Sequence, residues 1–365
     1  MSRKRSRTRA TQNPRPSTIR RKLLSWYDRE NRRLPWRGTR DPYRIWVSEI
    51  MLQQTTVETV RRRYDRFLAR FPSLSTLARA REDSVVAAWS GLGYYARARN
   101  LRRAAREILS RHDGIFPSDP RVLTSLPGLG DYTAAAIASL AFGVRAPAAD
   151  ANVTRVVSRL FAIAGLLGSR PHRDAVLERV AELLPRDRPG DLTAALMDLG
   201  QGICAPRRPA CLRCPLESLC RGRREGAPED YPRRRTKPAP VEIAVAAAVV
   251  RRGDRALLLR RRGGFLEGMW EFPCGPAPGK SRRAARAHLS QTLSRLGIRR
   301  DRFPSAAVRH TVVNRRLEIE VFRGRTTSSA STAEARDARW FSARELARAA
   351  IPTLTRKIAR AVGFL

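Results

Sequence analysis

A chain of 365 residues with 73 Lys and Arg against 33 Asp and Glu carries a formal charge of +40, which points to a polyanionic partner and first of all to nucleic acid. No apolar run reaches the roughly 18 residues needed to span a bilayer, and no hydrophobic segment follows the basic start, so membrane insertion and secretion are excluded and a soluble intracellular protein is expected. Five cysteines, four of them within 204–220, fit a metal or cluster site in a reducing compartment better than a disulfide framework.

Residues 1–17 are polar and basic and are expected as a disordered tail. From 18 to 222 apolar residues recur with a 3.6-residue period, which predicts helices over 18–31, 42–71, 83–93, 96–112, 131–143, 152–167 and 191–204. The charged, Pro-rich stretch 223–240 has linker composition. Beyond it the period changes to two or to short apolar runs, with one amphipathic helix over 282–298, so a smaller α/β domain is expected over 241–365.

Cys204, Cys211, Cys214 and Cys220 are spaced C-x6-C-x2-C-x5-C. Four thiolates suit a [4Fe–4S] cluster or a tetrahedral zinc, and the presence of only one close pair favours the cluster. Four protein ligands leave no open position, so the site is read as a staple. Cys274 stands apart and reads as a small buried hydrophobe.

In "LPGLG" (126–130), Gly128 and Gly130 permit positive φ, Asp131 is placed to cap the next helix, and backbone N–H groups at such a turn can hold a phosphate. Asp150 reads equally well as the N-cap of "ANVTRVVSRL". Glu49 lies between Ile45 and Leu52 on the apolar side of its helix, where burial would raise its pKa; the plainer reading is an acid paired with a neighbouring Arg.

Together "LPWR" (34–37), "WVSEIMLQQT" (46–55), "GLGYYARARNL" (91–101), "LPGLGDYT", Asp150-Ala-Asn152 and the cysteine spacing resemble the helix-hairpin-helix DNA glycosylases, and more narrowly the adenine DNA glycosylases of the MutY type. The resemblance covers about residues 20–222 and implies an all-α helix-hairpin-helix domain with a [4Fe–4S] loop, followed by a Nudix-like α/β domain. It implies that Glu49 protonates adenine and that Asp150 stabilises an oxocarbenium-like sugar, with Tyr132 and Asn152 helping to hold the sugar and the carboxylates. Gly128, Gly130, Leu52, Gln54, Thr55 and Tyr94 become DNA contacts by the same resemblance, and Arg37 and Trp36 line the adenine pocket.

Bifunctional relatives resembling endonuclease III carry a Lys where Tyr132 stands, and there is no Lys from 23 to 236, so a monofunctional reaction completed by water is expected. Ala194 replaces a Gln or Glu expected near the adenine. In the C-terminal domain Gln291, Ser294 and Arg295 occupy the acidic places of a Nudix box, so phosphohydrolase activity is not expected. Val312-Val313-Asn314 stands where the family often has Phe-Ser-His, a departure that bears on 8-oxoguanine discrimination. The implied partner is double-stranded DNA with adenine opposite 8-oxoguanine or guanine, bound by a monomer in the bacterial cytoplasm and nucleoid. The rivals are an endonuclease III-like glycosylase/lyase, opposed by Tyr132, and a non-catalytic damage-binding protein, opposed by Glu49 and Asp150.

Overall fold

The computed structural model describes residues 13–30, 34–235, 238–263, 266–326 and 337–365. The expected tail lies outside them up to residue 12, and helix starts at Pro16. The chain forms two compact units, each drawn from two stretches: Met1–Leu74 with Glu107–Thr236, and Ser75–Arg106 with Lys237–Leu365. The sequence had suggested a single cut in the 223–240 linker. By contacts, residues 75–106 group with the C-terminal half.

The helices follow in order: α1 (Pro16–Glu30), α2 (Pro42–Leu52), α3 (Val57–Arg70), α4 (Leu74–Arg79), α5 (Glu82–Ala88), α6 (Ala96–Arg111), α7 (Pro120–Ser125), α8 (Asp131–Phe142), α9 (Ala151–Phe161), α10 (Arg170–Leu183), α11 (Pro189–Gly202) and the short α12 (Arg221–Arg224). Within the first unit α8 is apolar on almost every side and packs against α2, α7 and α11, while α9 packs against α10, α11 and α12.

The helix expected over 42–71 is two. Gln54 adopts φ 55°, in the left-handed region, and Thr56 caps α3 by accepting from the Thr59 amide at 3.4 Å. Apolar periodicity ran through this break because both pieces face the same core. Helix α9 likewise stops at Phe161, short of 167, where Ala162 takes φ 50°. Helices α4, α7 and α10 were not assigned from sequence. The expected linker is held as far as Arg233, whose carbonyl accepts from the Leu167 amide at 2.8 Å.

In the second unit β1 (Val241–Arg252), β2 (Arg255–Arg260), β3 (Trp270–Glu271), β4 (Cys274–Pro278), β5 (Ile298–Arg300), β6 (Ala306–Val312), β7 (Arg315–Thr326) and β8 (Ala338–Ser342) build a mixed sheet ordered β3-β2-β1-β7-β5, with β4 on β1, β6 on β7 and β8 on β2. Strand β1 runs parallel to β7, and the remaining pairs are antiparallel. Residues of β1 alternate between two cores: Val245, Ala247 and Val249 share one with Ile358, and Ala244, Ala246 and Ala248 share the other with Leu289 and Leu293. Helices α13 (Arg282–Ser294) and α15 (Thr353–Ala361), with α14 (Ala343–Arg348) before the latter, thus cover a strand apolar on both sides. From the other half of the sequence, Tyr95 donates its hydroxyl to the Ile351 carbonyl at 3.4 Å, and Ser90 accepts from Arg356 at 3.1 Å.

Candidate active site

Asp41 starts α2 by accepting from the Tyr43 and Arg44 amides, and the helix then carries Glu49 into the interior, where it is 3% exposed. Its Oε2 accepts a 2.7 Å hydrogen bond from the Tyr132 hydroxyl on α8. Burial pushes the Glu49 carboxyl up from its ordinary range; the Tyr132 bond and the charge of Arg37 pull it back, and Asp150 pushes it up again. Burial and the neighbouring acids drive the Tyr132 phenol well above its usual range, so it stays a donor. The plainer alternative, an acid consumed by an Arg, does not hold: Arg37 gives its Nη2 to Asp198 Oδ1 at 2.9 Å.

Asp150 is the N-cap of α9. Its Oδ1 accepts from the Asn152 and Val153 amides at 2.9 and 2.7 Å, and its Oδ2 from the Asn152 side-chain amide at 2.8 Å. Hydrogen bonds of this kind favour the ionised acid. They do pull its pKa down, yet burial outweighs them and the net direction is upward. The capping side chain also acts electrostatically on Glu49.

Asn152 is fixed in turn. Arg155 Nη2 donates to its Oδ1 at 2.8 Å and to the Gly200 carbonyl at 2.7 Å, while Arg155 Nε reaches the Cys204 carbonyl at 2.7 Å. A Cβ at Gly200 would stand 2.6 Å from the Cβ of Asn152, so only glycine lets α11 approach here. One turn on, Arg159 donates to Cys204 Sγ at 3.3 Å and to the Ala205 and Pro206 carbonyls at 2.7 and 3.0 Å. A single helix thus links the Asp150 cap to the cysteine loop. The sequence reading missed Arg155, Arg159 and Asp198; their one signal is a charge standing in an apolar helical run, "RVVSRL" or "ALMDLG".

The four cysteines are half-buried and line one cavity with Leu160, Leu199 and Ile203. Among the described residues no three His, Cys, Asp or Glu side chains converge closely enough for a single metal ion. Burial, with the other three cysteines nearby, pushes the Cys214 thiol up to about 12. Cys274 is also pushed up to about 12, by burial and by Glu271 beside it.

Leu52 ends α2, and Gln54 and Thr55 fall in the turn before α3. In the hairpin Gly128 uses φ 79°, as expected. Gly130 does not: it is extended, with φ −87°, and it rather than Asp131 is the N-cap of α8, where no side chain caps the first amides. Amides left uncapped at a helix start are donors of the kind that can hold an anion. Trp36 packs edge-on against Tyr64 in the core, with ring centroids 5.4 Å apart. Ala194 is buried on α11, one turn before Asp198.

In the second unit Tyr94 has φ 45°, with the Arg97 guanidinium 5.6 Å from its ring centre. Val313 forms the β6–β7 tip at φ 56° and is 70% exposed. Gln291 and Ser294 lie on α13 and Arg295 caps its end, so that stretch offers no carboxylate for a metal.

The family of HhH-GPD superfamily base excision DNA repair proteins matches residues 47–186, and the NUDIX domain matches 245–361. The chain is 34% identical to the human adenine DNA glycosylase, over 93% of its own length and 72% of the relative's. Identity to the adenine DNA glycosylase of Mycolicibacterium smegmatis is 42%, over 59% of this chain and 73% of that one. Among solved structures a thermostable thymine-DNA glycosylase superposes with a TM-score of 0.51 at 30% identity, covering 57% of this chain and 97% of its own.

Proposed function

Because this chain belongs to the adenine DNA glycosylases, hydrolases that act on DNA in base excision repair, we propose that it removes adenine opposite 8-oxoguanine or guanine, with Glu49 and Asp150 as its catalytic residues. The observation that carries the reading is the buried Glu49, bonded to Tyr132 beside the capped Asp150. Glu49 gives its proton to a ring nitrogen of adenine as the N-glycosidic electrons leave with the base. Asp150, fixed by Asn152, faces the positive charge developing on the sugar. Water then bonds to C1′ and passes its proton to the emptied Glu49 carboxylate. The Gly130 helix start, Leu52, Gln54, Thr55 and Tyr94 serve as DNA contacts, and Arg37 with Trp36 borders the base. The protein works as a monomer in the cytoplasm, on nucleoid DNA. Single-turnover excision from duplexes with adenine opposite 8-oxoguanine, G, C or T tests this; loss of adenine from none of them would overturn it.

Tyr132 cannot form a Schiff base, so borohydride added during turnover should trap little covalent adduct, and strand breaks should appear only after alkali. Efficient trapping would contradict the monofunctional reading.

Cys204, Cys211, Cys214 and Cys220 suit a [4Fe–4S] cluster: four thiol donors line one cavity, and only one pair has the close spacing of a zinc knuckle. When bound, the cluster would supply a closed cross-link to the loop. Anaerobically purified protein should be brown and contain iron; one zinc and no iron would refute the assignment. Cys211→Ser should chiefly lower thermal stability.

A further inference from the structure

We infer that Asp198 is a positioning residue that keeps Glu49 a proton donor by taking up the charge of Arg37. The inference rests on the excision reading above.

Arg37, between α1 and α2, and Asp198, on α11, have side chains only 8% and 1% exposed, and a single contact of 2.9 Å joins them. Among the described residues Arg37 Nε and Asp198 Oδ2 have no hydrogen-bond partner, so the pair is not the two-pronged fork that gives such contacts their strength. Buried ion pairs are weak evidence for stability in any case, since desolvating both charges costs about what their attraction returns. The pair therefore calls for another reason, and its neighbour provides one. Arg37 also acts on Glu49, and Glu49 on Arg37.

Among the described residues three titratable groups act on Glu49. Tyr132 on α8 donates to it, Asp150 at the head of α9 opposes its ionisation, and Arg37 favours it. Arg37 in turn faces Asp198 on α11 and Tyr27 on α1. A buried guanidinium with no other counter-charge would draw the proton-bearing acid into a salt bridge and leave it a carboxylate, with nothing to give the base. Asp198 holds the guanidinium through Nη2 and supplies the counter-charge that Glu49 would otherwise have to provide. The sequence reading assigned Arg37 to the base pocket and gave Asp198 no role.

The test is the pH dependence of single-turnover excision by the full-length protein on one cleaved mismatch. Excision falls as pH rises through the loss of the Glu49 proton. Asp198→Asn should move that limb toward acid by about one pH unit, roughly a tenfold loss at a fixed pH above the midpoint. Arg37→Gln leaves a negative charge behind and should move it toward alkali, and the double variant should return it near the parent's position, whatever happens to the absolute rate. A uniform loss of rate with an unmoved midpoint in Asp198→Asn would overturn the inference. If that variant does not fold, the other two decide: Arg37→Gln must lie on the alkaline side of the double variant, and equal midpoints would show that the Asp198 charge does not reach Glu49. A parent protein that excises no adenine would instead remove the functional reading.

Discussion

A Glu49→Gln variant is expected to excise adenine slower by on the order of 10²-fold or more at neutral pH, while binding mismatched DNA as the parent does. Gln keeps the shape and can still accept the Tyr132 hydroxyl at the position now bonded at 2.7 Å. What it lacks is a transferable proton. Stability distinguishes this loss from damage to the fold. Burial raises the Glu49 pKa in the folded protein, so this group's contribution to stability is full below its unfolded pKa and is lost as pH rises through the folded one. Gln has no such loss, and the variant should melt at or above the parent's temperature at neutral pH. Near-parental excision would remove the acid role; a fall in melting temperature alongside lost activity would make the residue structural.

Asp150→Asn is expected to be nearly inactive, by roughly 10²- to 10³-fold, the range for loss of one preorganised electrostatic contact. Here the melting temperature should drop. An Asn can keep the cap through its oxygen, but its amide nitrogen would then face the Asn152 side-chain amide that now donates to Asp150 Oδ2 at 2.8 Å. Flipping Asn152 gives no relief, because its amide would then meet Arg155 Nη2, which needs the oxygen it now holds at 2.8 Å. One buried donor is left without a partner, at about 1–3 kcal/mol. Thermal melts and mismatch binding beside single-turnover rates check this. Full activity would exclude Asp150 from the reaction, and unchanged stability would break the chain of bonds through Asn152.

Where a feature was set by a few adjacent residues, the sequence revealed it. The Asp150-Ala-Asn152 cap, the left-handed Gly128, the cysteine loop and the change from helical to strand period past residue 240 are all local. The break at Gln54 was hidden, since the apolar pattern on either side keeps its phase and Gln carries no mark of a turn. The Arg37–Asp198 pair was invisible for a different reason: its partners are 161 positions apart, and each alone reads as a surface charge. Arg155 and Arg159 misled in the same way, because charges four apart on a helix usually face water, whereas these turn inward to carbonyls of the cysteine loop.

The pairing of Ser75–Arg106 with Lys237–Leu365 has a consequence for how the protein is made. On the ribosome, α5 and the start of α6 emerge long before the strands they belong with. At roughly 5–20 residues per second the wait is on the order of ten seconds. Meanwhile Tyr95, buried in the finished molecule, has no Ile351 carbonyl to receive its hydroxyl. The first unit, whose own two stretches flank this segment, must close around a loop still seeking its place. Nascent chains stalled before residue 237 therefore lack the stretch that Ser75–Arg106 groups with in the finished molecule.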